Sequence, residues 1–395
     1  MSFNIALSGI NAINSQLNTI SHNIANSNTY GFKAGRANFA TMVAGTQANG
    51  TYIGSTTQSV GTRGGFLPTG RALDGAIDGN GFFVTKDSDG STLFTRVGYF
   101  KRDADGYIVD GFRRRAQGYG ASGAYGDIRV PTDTEPAKAS DSLEYVGNLS
   151  ADWDAPKNPT FDKDDDTSFN HSVASTVYDS LGRQHIVTQY FVKGQPPSTD
   201  VTTYYAMDGE IVGGSTPVQT VLQFDTNGQL TAPNSPVDLD LGTPAGASAL
   251  AIKVNYAGTT QVAGEPTTTV NRDNGYAAGV PGEVTLDEDG GVVVQYSNGK
   301  QRKVGSLALA TFANQDGLTA VGDTAWRASA ASGNPLIGSA GSGALGKVVA
   351  GSLELSNADV TKELVDMMSA QRNYQANSKV LSTENQMMQA LMQAL

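Results

Sequence analysis

Phe3-Asn4-Ile5-Ala6-Leu7-Ser8-Gly9-Ile10-Asn11-Ala12-Ile13-Asn14-Ser15-Gln16-Leu17-Asn18-Thr19-Ile20-Ser21-His22-Asn23-Ile24 opens the chain with apolar residues at Phe3, Ala6, Ile10, Ile13, Leu17, Ile20 and Ile24. The steps alternate between three and four, the period of a helix whose apolar stripe packs along a partner helix. No Asp, Glu, Lys or Arg occurs in the stretch, and the first charged side chain is Lys33. A solitary helix in water draws solubility and i,i+4 support from such residues. Their absence predicts that the polar face also meets protein.

The other end of the chain repeats the pattern. Ser356 or Asn357 is the expected cap, and Asp359 stands in the first turn, where the helix dipole favours an acid. The seam then runs Val360, Leu364, Met367, Gln371, Tyr374, Ser378, Leu381, Asn385, Met388, Met392 and Leu395. One heptad column is apolar throughout: Val360, Met367, Tyr374, Leu381, Met388 and Leu395. The other is interrupted by Gln371, Ser378 and Asn385. Polar residues in a seam weaken it but fix register and partner number, which is the role expected of these three. A helix over 357–395 would be about 58 Å long at 1.5 Å per residue. Two amphipathic terminal helices could simply pair inside one chain. Their length, missing charge and placement at opposite ends fit better with helices that order against copies of themselves.

Between the ends the pattern turns to strands. Asp89-Gly90, Asp105-Gly106, Asp110-Gly111, Asp208-Gly209, Asn227-Gly228, Asp289-Gly290 and Asn298-Gly299 are hairpin dipeptides. They separate Val-, Phe-, Tyr- and Thr-rich runs at Gly81–Lys86, Val173–Tyr178, Ile186–Val192, Gln219–Phe224, Gly291–Tyr296 and Leu307–Phe312. The expected class is α+β: a mainly-β, antiparallel middle flanked by terminal helices. Residues 40–70 read as an irregular connector or a long hairpin. Residues 150–168 read as an exposed loop at a domain border, and 328–346 as a flexible connector.

Composition excludes several functions. The 395 residues carry 27 Lys and Arg against 38 Asp and Glu, a net charge of −11, which argues against general nucleic-acid binding. There is no Cys, and three His (His22, His171, His185) lie far apart, so no thiolate metal site or Ser-His-Asp set can be assembled. Gly341-Ser342-Gly343-Ala344-Leu345-Gly346 is followed by a strand-like run, Lys347-Val348-Val349, where a dinucleotide site needs a helix, and reads as a flexible loop. Asp162, Asp164 and Asp166 lack the Gly and Glu of a calcium loop. Arg113-Arg114-Arg115 reads as an exposed turn or interface patch. No catalytic residue, metal or cofactor is expected. No stretch reaches the roughly 20 apolar residues needed to cross a bilayer, and the basic start of a cleavable signal peptide is missing.

Three stretches carry a resemblance. Ala6–Ala12 and Ile20–Lys33, then Leu73–Phe83 with Phe94–Phe100, then Gly351–Asn357 with Ala370–Asn377, resemble the shared blocks of the bacterial flagellar rod and hook axial proteins. They stand in order across the whole chain. One departure is His22, where that family more often has Asn. Val177–Gly182, Tyr190–Lys193 and Phe312–Leu318 are similar to the members with a large inserted outer domain, the hook type.

The resemblance implies two nested antiparallel β domains. Residues 1–30 and 355–395 would form the polymerisation core, and 31–70 a connector. The inner β domain would take 71–146 and 286–354, and the inserted outer one 147–285. It implies a structural subunit of a flexible tube that couples motor to filament, and no enzyme. The implied partners are copies of the chain, the rod, hook-cap, hook-length-control and hook–filament junction proteins, and the flagellar export apparatus. Nucleic acid and membrane insertion are not implied. The implied location is outside the cell, in the flagellum, after export without signal cleavage. The competing readings are another axial component, distal rod or junction protein, and a β-rich secreted adhesin. Neither accounts as well for both the paired heptads and the outer-domain motifs.

Overall fold

In the computed structural model, residues 2–44 and 47–394 are described, so the last expected seam residue, Leu395, lies outside. The chain forms two compact units. One takes the residues up to Thr132, Gly282–Gln295 and those from Gln301 onward; the other takes Asp133–Pro281 with Tyr296–Lys300.

In the first unit the terminal seams become α1 (Ser2–Ala25) and α2 (Val360–Ala394), the two α-helices among the described residues. Asp359, and neither Ser356 nor Asn357, caps α2: its carboxylate accepts the Thr361 and Lys362 amides at 2.9 and 3.2 Å. β1 (Gly35–Ala44) and β2 (Gln47–Gln58) pair antiparallel over their whole length and pack along α1. Ser8 of α1 accepts the Thr51 amide of β2 through its hydroxyl oxygen at 3.1 Å.

Most of the rest of this unit is a large sheet, twelve strands among the described residues, beside two short antiparallel pairs, Gly75–Asp78 with Lys347–Ala350 and Phe66–Pro68 with Ser352–Glu354. Its middle runs Gln301–Thr311, Arg115–Gly120, Phe82–Lys86, Thr92–Thr95 and Ala325–Arg327. Val60, Phe82, Val84, Phe94, Ala308, Ala310, Phe312 and Trp326 bury one core against it, with Phe94 and Phe312 meeting edge to face at 4.8 Å.

The second unit is a sandwich of two sheets. One orders Val237–Asp240, Ala251–Asn255, Ser142–Asn148 and Thr267–Asp273; the other orders His171–Tyr178, Gln184–Lys193, Val201–Met207, Gln219–Phe224 and Leu230–Ala232. Alternate residues such as Leu143, Tyr145, Phe191, Val201, Leu222, Ile252 and Val254 face inward into a shared core. Two of its tyrosine hydroxyls are matched, Tyr205 donating to Thr220 at 2.7 Å and Tyr256 to Gln189 at 2.6 Å, while the Tyr145 hydroxyl is buried without a partner among the described residues. The first sheet departs from the all-antiparallel expectation, because Ser142–Glu144 runs parallel to Lys253–Asn255.

The turns follow one rule that the dipeptides only partly expose. Asp103, Asp110, Asp179, Asp225 and Asp287 each use one carboxylate oxygen to accept the amides two and four residues on. The residue three positions after the Asp then has positive φ: Gly106, Arg113, Gly182, Gly228 and Gly290. These are type I turns closed by a left-handed residue, the three-residue hairpin. The signal is Asp-x-x-Gly, and Asp208-Gly209, with both φ values positive, is the one two-residue turn of the expected kind among those dipeptides.

Candidate assembly surface

The two helices run antiparallel. Asn23 donates to Glu363 at 2.9 Å, and Gly9 lies against the Asn377 side chain. Ile13, Ile20 and Ala370 are buried in the contact, with Leu17, Ile24 and Met367 packed beside them. Ala6 and Ala12 are also buried, and Ile10, Ser378 and Leu381 are half-buried. The heptad period therefore makes an intrachain pair first.

That pair uses only one side of α2. Of the two columns read from the sequence, Met367 and Leu381 turn inward, and a third column, Glu363, Ala370 and Asn377, lies beside α1. The column Leu364, Gln371 and Asn385 stays exposed, and Val360, Tyr374 and Met388 are exposed as well. Gln371 and Asn385, read as register-setting, are thus not buried by α1; Gln371 rims a cleft with Asn14 and Leu17, and Asn385 one with Ile10. Phe3 is exposed on α1 with Ile5 and Leu7.

The helices also end at different heights. Asn23 beside Glu363 and Gly9 beside Asn377 place Ser2 near the level of Glu384, so about ten residues of α2, roughly 15 Å, have no helix opposite. Met387, Met388, Leu391 and Met392 are exposed on that overhang. A contiguous apolar stripe on an exposed helix end is uncommon on the surface of a monomer.

What anchors the pair is a buried joint that seam counting did not reveal. Asn23 is 1% exposed, and its amide pairs both ways with the Gly35 backbone, each bond 2.8 Å, while reaching Glu363. Burial raises the Glu363 carboxyl above its usual value. Just beyond α1, Lys33 meets Glu354 at 2.6 Å and the Thr62 carbonyl at 2.7 Å. Arg96 reaches the other Glu354 oxygen at 3.3 Å, and the Gly64 amide donates to the first. Burial draws the Lys33 and Arg96 cations below their ordinary pKa values, with Glu354 opposing. Asn357 ties the entry to α2 by accepting the Ala34 amide and donating to Ser59 and Thr62 carbonyls. Each of the three resembling stretches thus contributes one charged residue to this joint: Lys33, Arg96 and Glu354.

Sites of other kinds are not assembled. Among the described residues no group of His, Asp and Glu could hold a metal ion. Arg114 is buried and paired with Asp110 at 2.7 Å, so the exposed-turn reading is corrected for that residue, while Arg113 and Arg115 are exposed, Arg115 pairing with Asp127. A cleft of about 940 Å³ is lined by five acids and five bases and presents no net charge to a ligand. Among the described residues no helix is long and apolar enough to cross a membrane.

Family comparison follows the same map. Residues 3–33 match the flagella basal body rod protein family and 349–394 the flagellar basal body rod FlgEFG protein C-terminal family. Residues 76–142 match the flagellar hook protein FlgE/F/G D1 domain, and 148–276 the flagellar basal body protein FlaE D2 domain. The flagellar hook protein FlgE of Salmonella typhimurium is 38% identical over 402 residues, covering 99% of both chains. That of Escherichia coli K12 is 35% identical over the same coverage, and that of Borreliella burgdorferi 30% identical, covering 98% of this chain and 97% of its own. The crystal structure of Helicobacter pylori flagellar hook protein FlgE2 shares the fold at a TM-score of 0.52 and 13% identity, covering 71% of this chain and 98% of that one. With the helix pair, the buried joint and the near full-length identity together, the chain belongs to the flagellar hook protein family.

Proposed function

We propose that this chain is a structural subunit that polymerises through α1 and α2 into the flagellar hook, the flexible tube that transmits motor torque to the filament. The observation that carries this is the uncovered apolar surface of α2. One side is occupied by α1, while Leu364, Val365, Met368, Met388 and Leu391 remain exposed. Neighbouring copies would cover it in the assembled tube. Packing of this kind resists twist, because slipping a seam by one residue misplaces every side chain in it.

We assign 1–30 and 355–395 to the polymerisation core, 31–70 to the connector, 71–146 with 286–354 to the inner β domain and 147–285 to the outer one, except that the first border between the β domains moves from 146/147 to 132/133, because the second compact unit begins at Asp133 and its sheet includes Ser142–Asn148. The outer domain would meet its neighbours through polar contacts that exchange as the tube bends. Gln371, Ser378 and Asn385 would set register between subunits. Rod, hook-cap, hook-length-control and junction proteins would meet the tube at its ends. The export apparatus would deliver the chain to the cell exterior without signal cleavage. The role is mechanical, with no catalysis.

The test is a pair of charge insertions on the exposed stripe, Leu364→Glu and Leu391→Glu. Neither residue is buried, so thermal unfolding should match the parent, while tube formation is abolished. Tubes of normal appearance from this variant would refute the proposal.

A further inference from the structure

Five of the eight methionines lie on α2: Met367, Met368, Met387, Met388 and Met392. The three at its end are among the most exposed apolar side chains described, Met392 at 78%, Met388 at 66% and Met387 at 54%. They sit on the overhang that α1 does not reach. Met388 and Met392 are four residues apart, as are Met387 and Leu391, so they form two adjoining rows on one helix face. Met207, in contrast, packs against the core of the second unit.

We infer that Met387, Met388 and Met392 form an oxidation-sensitive modification site, and that conversion of their thioethers to sulfoxides blocks assembly of the free subunit. The inference rests on α2 being the polymerisation surface. The oxidant is hydrogen peroxide. A sulfur lone pair attacks one peroxide oxygen, the S–O bond forms as the O–O bond breaks, and the other oxygen leaves as hydroxide, which takes the proton of the sulfur-bound hydroxyl and becomes water. Sulfur loses two electrons and the peroxide gains them. The product replaces a flexible apolar group by a polar S=O that cannot be buried without a hydrogen-bond donor. The chemistry follows access, so the order of reaction should follow exposure: Met392, then Met388, then Met387 with Met368, with Met207 last.

Once copies cover α2, the same atoms are withdrawn from solvent. Subunits in transit would be vulnerable and finished tubes protected.

The experiment treats full-length monomer and preformed tubes with hydrogen peroxide, maps sulfoxides by peptide mass spectrometry and then measures assembly. Untreated protein must form tubes; if it does not, the subunit reading fails and this inference with it. Oxidised monomer should carry sulfoxide at the three terminal positions and need about a tenfold higher concentration to assemble. Methionine sulfoxide reductases of both stereospecificities with dithiothreitol should restore it. Tubes should acquire little sulfoxide. The Met387→Leu, Met388→Leu, Met392→Leu triple variant should assemble and resist peroxide. The corresponding Gln triple variant should fail to assemble without peroxide while its β units melt normally. Normal assembly of oxidised wild type or of the Gln variant would overturn the inference. So would equal peroxide sensitivity of the Leu variant.

Discussion

Lys33 Nζ lies 2.6 Å from Glu354 Oε1, and neither side chain exposes any surface. One residue follows α1 and the other precedes α2, so a single ion pair closes the loop between chain positions more than 300 residues apart. Arg96 shares the same carboxylate. Two buried cations held by one buried anion leave no neutral way to lose the anion.

Glu354→Gln should therefore destabilise the first unit by about 3–5 kcal/mol, the range for breaking a buried pair from one side. Urea denaturation followed by hydrogen exchange at the Lys33 and Gly64 regions would measure it. Glu144→Gln, which breaks an exposed pair with Arg272, provides the control and should cost under about 1 kcal/mol.

The hairpin rule makes a prediction of opposite sign at two homologous turn positions. Arg113 occupies, with φ 68°, the site that glycine fills in the four other turns of its kind. Arg113→Gly should be neutral to stabilising by about 1 kcal/mol, since relief of left-handed strain offsets the added chain entropy. Gly228→Ala should destabilise by about 1–3 kcal/mol, because its Cβ would collide with the Gln261 carbonyl oxygen. Calorimetry on the two variants separates the cases.

His185 gives the second unit a pH dependence. A hydrogen bond to Asp208 at 2.6 Å, opposed by partial burial and joined by Asp179 at 3.3 Å, raises its pKa. A base whose folded pKa is raised lends stability that is complete below its unfolded value, about 6.5, and is lost as pH rises through the folded value. The Tm difference between wild type and His185→Gln should be largest near pH 5 and shrink toward pH 8. A constant difference would rule out the protonated pair. His171 works in the other direction, since burial lowers its pKa, so single variants are needed to separate the two.

Replacing Gln371, Ser378 and Asn385 together with Leu should strengthen helix association and blur its register. Gln371 and Asn385 are exposed, so the isolated subunit should keep its stability. Electron microscopy should then show irregular aggregates in place of uniform tubes. Uniform tubes would remove the register role from these residues.

Much of this was legible in the sequence because periodicity is a local signal. The 3–4 alternation from Phe3 to Ile24 and from Val360 onward located both helices, and strand runs such as Gln219–Phe224 match their observed bounds. Which side of α2 meets α1 was not legible. A heptad admits several columns, and the choice of Ala370 over Gln371 depends on geometry three dimensions decide. Nor was the joint: Lys33, Arg96 and Glu354 are ordinary charged residues until folding across more than 300 positions buries them together. Asn23 was hidden for the same reason, since its three hydrogen bonds go to Gly35 of β1 and Glu363 of α2. The Asp-x-x-Gly rule could have been read, because the Asp recurs three places before the glycine in both units.

The central claim is that the uncovered face of α2 is an assembly surface. Negative-stain microscopy of the concentrated, purified full-length chain tests it most directly. Short curved tubes of uniform diameter are the predicted result, absent in the Leu364→Glu, Leu391→Glu variant. Persistent monomers at high concentration, with both helices formed by circular dichroism, would contradict it.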